Sequence, residues 1–181
     1  MKNKMQEEIE IPSGVSCTFD GKVFSASKGS VSLKRIIDLP SISFEIKGNK
    51  IVLSAKKGNK NEFKFIKSTL AHIKNVFSGL DKKYIYRLEA CNVHFPMTLK
   101  IEQGSLVINN FLGEKVPRKA KVLPNVDVDI KGAKIVVSSH DKESAGETAT
   151  NIEKATKIRN RDRRVFQDGI FIVEKPQREA I

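Results

Sequence analysis

Residues 46–54 read IKGNKIVLS, and residues 130–138 read IKGAKIVVS, with seven of the nine positions identical at an offset of 84. The same offset, without a gap, also pairs Leu39-Pro40 with Leu123-Pro124, Gly29 with Gly113, and Val23 with Val107. A match spread in this way indicates that one structural unit was duplicated. The chain is therefore predicted to contain two tandem units, 1–82 and 83–181.

Within each unit, apolar residues alternate with polar ones in short runs that are separated by turn signals. Val15, Cys17 and Phe19 alternate before Asp20-Gly21, which is a hairpin dipeptide. In the second unit, alternating runs are Met97, Leu99, Ile101 and, later, Val126, Val128, Ile130. Such runs predict a meander of antiparallel hairpins in each unit.

The period then changes to that of a helix. Phe63, Ile66, Leu70, Ile73 and Phe77 recur at helical spacing and predict a helix from about Lys60 to Phe77, with Gly79 as its stop. A second helix is predicted from about Asp141 to Ile158, with small residues on its buried face, followed by a strand at 169–174. Each unit is thus an antiparallel sheet covered by one helix, and the fold class is α+β.

Charge gives the first indication of a partner. The net charge is +12 and the pI is near 9.7, which is typical of proteins that bind polyanions. Cys17 and Cys91 lie in strand-like runs outside any CxxC pair, so both are expected to be buried small hydrophobic residues. The sequence indicates no signal peptide, membrane span, metal site or cofactor, and the expected location is the reducing cytosol.

Basic residues cluster twice in the second unit. The stretch 154–164 contains Lys154, Lys157, Arg159, Arg161, Arg163 and Arg164 against a single acid, Asp162. The second cluster, Lys115, Arg118, Lys119 and Lys121, surrounds Pro117 in a loop-like stretch, where the first unit carries only Lys34 and Arg35. A solvated charged face is the alternative. The density of arginine, which binds phosphate in a bidentate manner, favours RNA or DNA.

The segment Ser139-His140-Asp141-Lys142 lies between a predicted strand and a predicted helix. Ser139 or Asp141 could cap the helix, and the free N–H groups there could also attract phosphate. Both interpretations remain open on the sequence. Adjacent Ser, His and Asp residues cannot form a catalytic triad, and no other catalytic set is present, so an enzyme is not predicted.

Two stretches resemble the large-subunit ribosomal protein six family in its archaeal and eukaryotic form. One is Asn110-Phe-Leu-Gly-Glu-Lys115, and the other is Arg164-Val-Phe-Gln-Asp-Gly-Ile-Phe-Ile172, with Ile158 and Arg161 upstream and Lys175 beyond. Two positions depart from the family pattern, Lys154 in place of Gln and Phe171 in place of Tyr. Together with the duplication, the resemblance covers nearly the whole chain.

The resemblance implies a ribosomal protein without catalytic activity, whose second unit contacts large-subunit ribosomal RNA near the factor-binding region and the sarcin–ricin loop. Neighbouring ribosomal proteins are further partners, translation factors are expected nearby, and the first unit is a scaffold or faces proteins. The predicted RNA-binding residues are Lys115, Arg118, Lys119, Lys121, His140, Asp141, Lys142, Lys157, Arg159, Arg161, Arg163, Arg164 and Lys175. Asp168 is expected to fix the turn before Gly169. An RNA chaperone outside the ribosome is the alternative.

Overall fold

A computed structural model describes residues 3–38 and 42–176 of the chain. The chain divides into two compact units, Met1–Lys82 and Lys83–Ile181. Both contain antiparallel sheets and a long helix, so the α+β class is confirmed. No helix in the described ranges combines the length and the apolar character that a membrane crossing requires.

The first unit has two three-stranded sheets and one helix. Its elements are β1 (Asn3–Glu10), β2 (Ser16–Asp20), β3 (Val23–Lys28), β4 (Val31–Ile36), β5 (Ser43–Lys47), β6 (Lys50–Gly58) and α1 (Lys60–Asp81). One sheet has the order β1-β6-β5 and the other β2-β3-β4. Helix α1 packs against strands of both sheets and buries Ile66 and Ile73 completely.

The second unit repeats this arrangement and adds a strand. Its elements are β7 (Tyr84–Cys91), β8 (Thr98–Glu102), β9 (Ser105–Asn109), a 3-10 turn (Phe111–Gly113), β10 (Arg118–Lys121), β11 (Asp127–Lys131), β12 (Lys134–Ser139), α2 (Lys142–Ala155) and β13 (Gly169–Glu174). The sheets are β10-β9-β8 and β11-β12-β7-β13. Helix α2 packs against both sheets.

The stretches 46–54 and 130–138 each form the turn and return strand of a hairpin. Ile46 pairs with Ile51 in the first unit, and Ile130 pairs with Ile135 in the second. Ile51 and Ile135 are completely buried, because alternate residues of each strand face the helix. The two stretches therefore have the same register and the same role in the core of their units.

Several predicted boundaries are wrong. Each unit has two sheets rather than one. The first strand of each unit, β1 or β7, pairs with the strand that precedes the helix, β6 or β12, and strands β2–β4 or β8–β10 form a separate sheet. The charged N-terminal stretch, for which no strand was predicted, forms β1, and the supposed loop at 118–121 is β10. Helix α1 continues to Asp81, because Gly79 faces the core and Lys82 is the C-cap.

Some predicted core residues lie at the surface. Cys91 is exposed at the end of β7, and Cys17 is only half-buried. Phe63 is 42% exposed on α1, and Phe171 is 40% exposed on the face of β13 that points away from the helix. The matched dipeptide Leu39-Pro40 lies outside the described ranges, as do residues 177–181.

Candidate nucleic-acid interface

Two connections of the second unit carry six of the thirteen predicted RNA-binding residues. The β9–β10 loop comprises residues 110–117, and the arginine loop comprises residues 156–168, between α2 and β13. In the first unit the connection that corresponds to the β9–β10 loop is the two-residue turn Gly29-Ser30 between β3 and β4. The corresponding connection is therefore longer in the second unit.

Arg118 joins the two loops at their bases. Its Nε and Nη2 donate to the two carboxylate oxygens of Glu114 at 2.8 and 2.6 Å, and its Nη1 donates to the carbonyl of Ala155 at 2.9 Å and to that of Lys157 at 3.4 Å. The guanidinium carbon lies 4.2 Å from the centroid of the Phe111 ring. A bidentate, stacked arginine is a strong and directional anchor.

These contacts explain where α2 ends. The helix was predicted to continue to Ile158, but it ends at Ala155, with Thr156 as its C-cap. The carbonyls of Ala155 and Lys157 accept hydrogen bonds from Arg118, and the Thr156 hydroxyl accepts one from the backbone N–H of Ile170 at 2.8 Å. The chain therefore leaves the helix and returns to the sheet as β13.

The Glu114 carboxyl is held in its ionised form. The hydrogen bonds from Arg118 lower the pKa of Glu114 against the effect of partial burial, and the charges of Arg118 and Arg161 lower it further. Arg161 therefore lies close enough to influence this carboxylate across the space between the two loops. The resulting pair partly offsets the positive charge at the base of the loops.

A tight turn shapes the middle of the arginine loop. The carbonyl of Asp162 accepts from the N–H groups of Val165 and Phe166 at 3.2 and 2.9 Å, and its carboxylate accepts from the N–H of Arg164 at 2.9 Å. This is an Asx-type turn, which an aspartate favours because its short side chain reaches the backbone nearby. The only acid in the basic run therefore organises the backbone of the loop.

A stack of side chains fixes the end of the arginine loop. The Arg161 guanidinium carbon lies 4.7 Å from the centroid of the Phe166 ring, and the His94 ring stacks on Phe166 at 5.0 Å with an interplanar angle of 26°. His94 Nδ1 lies 2.6 Å from the carboxylate of Asp168. Asp168 is 1% exposed and also accepts from the N–H groups of Val93 and His94 at 2.8 and 3.0 Å.

Asp168 is thus a structural residue, but its contacts reach back to residues 93–94 instead of fixing the turn before Gly169. Burial by itself would raise the pKa of Asp168, yet the hydrogen bonds from the His94 backbone and ring and from Val93 lower it overall. The carboxylate is consequently ionised at neutral pH. It holds the stack to the connection between β7 and β8.

Between the two loops lies a small cleft of about 90 Å³. It is lined by Leu112, Glu114, Arg118, Ile158, Arg159 and Arg161. The structure therefore brings together the two basic clusters that are separate in the sequence. Leu112 has a left-handed backbone conformation (φ 51°), which is unusual for a branched residue and directs this part of the loop.

The predicted basic residues differ in how they are presented. Those exposed to solvent are Lys115, Lys119, Lys121, Lys157, Arg159, Arg161, Arg163, Arg164 and Lys175. On β10, Arg118 and the buried Ala120 share the inward face, while Lys119 and Lys121 point outward. Arg118 is therefore committed to contacts within the protein, and its predicted role in RNA binding remains a prediction.

The helix-start group lies elsewhere. Asp141 is the N-cap of α2, and its carboxylate accepts from the N–H groups of Glu143 and Ser144 at 3.1 and 3.2 Å. Lys142 lies over the Tyr84 ring, with its ammonium nitrogen 5.4 Å from the centroid. Since α2 has 14 residues, this group is about 20 Å along the helix from the arginine loop. The capping role is observed, and phosphate contact by His140, Asp141 and Lys142 remains a prediction.

Sequence reasoning missed the residues that hold the basic ones in place. Glu114 contacts Arg118, whereas His94 contacts Asp168 and Phe166, which are more than 70 residues away in the sequence. The short spacing from Glu114 to Arg118 was the one available signal, since an acid four residues from an arginine often pairs with it. Across the described ranges, no group of three or more His, Cys, Asp or Glu side chains could hold a metal ion.

Comparison with known proteins gives a consistent result. A family model described as "Ribosomal protein L6" matches residues 95–169, which include both loops and the cleft. The chain is 40% identical over 171 residues to the "Large ribosomal subunit protein uL6" of Methanococcus vannielii, covering 94% of each protein. It is 39% identical over 175 residues to the protein of the same description from Methanosarcina mazei, covering 97% of this chain and 99% of that one.

Proposed function

The chain belongs to the ribosomal protein L6 family, and we propose that it is a structural component of the large ribosomal subunit that binds large-subunit ribosomal RNA mainly through its second unit. The relatives that are about 40% identical to this chain are ribosomal proteins from archaea, not enzymes. The protein accordingly acts in translation, in the cytoplasm.

The observation that carries this proposal is the anchored arginine loop. Arg159, Arg161, Arg163 and Arg164 are exposed, while the backbone that presents them is held by Arg118 at one end and by Asp168 at the other. A solvated charged face does not require such anchoring. A surface that must meet the phosphates of a folded RNA does, because positioned cations lose less conformational entropy on binding.

The mechanism is phosphate and shape recognition. Lysine and arginine displace counterions from the RNA backbone, so affinity falls with salt concentration. Lys115, Lys119, Lys121 and Lys157 extend the basic surface beside the arginine loop. His140, Asp141, Lys142 and Lys175 form the outer part of the proposed contact set.

The first unit, residues 1–82, then serves as a scaffold or faces neighbouring ribosomal proteins. The proposed origin of the two units is a tandem duplication, which accounts for the shared register of residues 46–54 and 130–138. We place the second unit near the factor-binding region and the sarcin–ricin loop. Translation factors would then pass nearby, as family resemblance implies.

Cosedimentation tests the function most directly. A tagged copy of the full chain should remain with large ribosomal subunits on sucrose gradients in high salt, because a structural component is held by many contacts. Release into the light fractions in high salt, together with retained affinity for free RNA, would instead favour an RNA chaperone. Tethered hydroxyl-radical cleavage from Cys91, which is exposed, would test the placement: cleavage near the sarcin–ricin loop is expected, and cleavage confined to distant rRNA would contradict it.

A further inference from the structure

Arg161 is the arginine of its loop whose guanidinium lies over an aromatic ring. The guanidinium carbon of Arg161 lies 4.7 Å from the centroid of the Phe166 ring, and the His94 ring stacks on the same Phe166 ring. Arg161 also lines the cleft between the two loops. The guanidinium is thus in contact with the Phe166 ring and also borders the cleft.

The support beneath Arg161 is connected to the buried part of the unit. His94 pairs with Asp168, which is 1% exposed and accepts hydrogen bonds from two backbone N–H groups. Anchoring of the loop backbone is enough to present a cation to a phosphate, and it does not require a ring placed against the arginine side chain itself. A rigid, planar cation is better suited to stacking on another planar group.

The cleft has the composition that a planar, partly apolar ligand requires. Leu112 and Ile158 are half-buried apolar residues that line it. Glu114 and Arg118 also line it, and because they pair with each other their opposite charges cancel. Arg159 and Arg161 leave the cleft positive overall. Its volume of about 90 Å³ excludes a paired duplex.

We propose that this cleft receives a single unpaired nucleobase of RNA, stacked on the guanidinium of Arg161. Leu112 and Ile158 contribute apolar contact, and Arg159 neutralises an adjoining phosphate. The proposal rests on the proposed RNA-binding function and adds to it: the second unit recognises a bulged or extruded nucleotide in addition to backbone shape. Arg161 is then a residue that determines specificity, and Phe166 and His94 are positioning residues.

The test uses the full chain and a set of RNA hairpins that differ at one position. One hairpin is fully paired, one carries a single abasic bulge, and four carry a single bulged base, each base in turn. The protein should bind the best bulged hairpin about tenfold more tightly than the abasic one, a typical effect for one stacked base. The abasic hairpin separates base recognition from the greater flexibility of a bulged backbone.

Variants then assign the preference to the cleft. Arg161→Lys keeps the charge but removes the plane, so it should abolish the preference for a base over the abasic site. Its affinity for the paired hairpin is measured in parallel and gives the contribution of the charge contact alone. Phe166→Leu removes the ring that contacts Arg161 and should also weaken the preference for a base over the abasic site. Arg163→Lys is the matched control, since Arg163 is exposed in the same loop, and it should retain the preference.

The outcomes separate the two proposals. Failure of the wild-type protein to bind any hairpin would contradict the proposed RNA-binding function itself. Equal affinity for the abasic hairpin and for all four bulged bases would overturn the nucleobase cleft and leave RNA binding intact. A full preference in Arg161→Lys would also overturn it, and the exposed position of Arg161 makes this variant informative even if Phe166→Leu fails to fold.

Discussion

The two units share a framework and differ at two connections. Both place a central strand, β6 or β12, between a hairpin partner and the first strand of the unit, and both pack a helix against two sheets. The second unit has the β9–β10 loop where the first has a two-residue turn, and it also has the arginine loop and β13 after its helix. The comparison indicates that the shared strands carry stability and the added loops carry recognition.

Total charge does not express this difference. Residues 1–82 contain 15 basic and 8 acidic residues, and residues 83–181 contain 18 and 13. By net charge the first unit would be the better RNA-binding unit. What distinguishes the second unit is the fixed placement of its arginines, through Arg118 at one end of the arginine loop and Asp168 at the other.

The largest expected effect follows from neutralising the arginine loop. Replacement of Arg159, Arg161, Arg163 and Arg164 by Gln should lower RNA affinity by about a hundredfold or more near physiological salt, because up to four phosphate contacts are lost. The slope of log affinity against log salt should become shallower by roughly 3, since each lost contact removes about 0.7–0.9 from it. Filter binding across a salt series measures both quantities, and gradient sedimentation measures incorporation.

A matched variant of the first unit controls for charge alone. Lys34, Lys60, Lys64 and Lys82 are exposed, and their replacement by Gln changes the net charge by the same amount. This variant should lose little affinity if the placement of the arginines matters. An equal loss in both variants would mean that total charge decides binding and that the two units do not differ in function.

The next effect concerns the shared framework. Ile73 on α1 and Ile152 on α2 are both completely buried, so either change to Ala should lower the free energy of unfolding of its own unit by about 3 kcal/mol. The two tyrosines of the chain, Tyr84 and Tyr86, both lie on β7 in the second unit, and there is no tryptophan. Tyrosine fluorescence in urea should therefore shift for Ile152→Ala and not for Ile73→Ala. A similar shift in both would show that the units do not unfold independently.

Much of the framework could be predicted from the sequence. Alternation located most strands, and the spacing of Ile66, Leu70 and Ile73 located α1, because burial on one face imposes those periods. Strand β1 was missed because its charged residues face solvent on a strand whose pairing partner, β6, is distant in the chain. The end of α2 was missed because it depends on Arg118, 37 residues away from the carbonyl of Ala155 that it binds.

The candidate site could be predicted only in outline. The clusters at 115–121 and 154–164 were visible as charge, since charge is a local property of the sequence. The stack of Arg161, Phe166 and His94 was not visible, because it requires the pairing of β13 with β7 to bring residue 94 to residue 166. Long-range contacts of this kind fix the positions of basic side chains, which the local density of charge in the sequence does not show.

A smaller loss of stability is expected when the anchor between the loops is removed. Arg118→Ala should lower the free energy of unfolding of the second unit by about 2 kcal/mol, because charged hydrogen bonds to Glu114 and to the Ala155 carbonyl are lost. Lys119→Ala on the exposed side of the same strand is the matched control and should change it by less than about 0.5 kcal/mol. RNA affinity should also fall for Arg118→Ala, and equal losses of unfolding free energy in the two variants would contradict the anchoring role.

The last comparison concerns pH and the anchor at the other end of the arginine loop. Asp168→Asn should lower the free energy of unfolding of the second unit by about 1–2 kcal/mol at pH 6, because the carboxylate that accepts from Val93 and His94 is lost. The folded pKa of Asp168 is below its ordinary value, so its contribution is complete above the unfolded pKa of about 4 and is lost as pH falls through the folded pKa.

The difference between wild type and Asp168→Asn should consequently shrink as urea titrations, followed by tyrosine fluorescence, are taken from pH 6 to pH 3. Other acids, including Glu114, are present in both proteins and cancel in the difference. Asp162→Asn keeps a hydrogen-bonding oxygen at an exposed turn of the same loop and should leave the shape of the curve unchanged. A difference that stays constant or grows towards pH 3 would mean that Asp168 does not hold the loop as a buried carboxylate, and the contrast between an anchored loop and a solvated one would then depend on Arg118 alone.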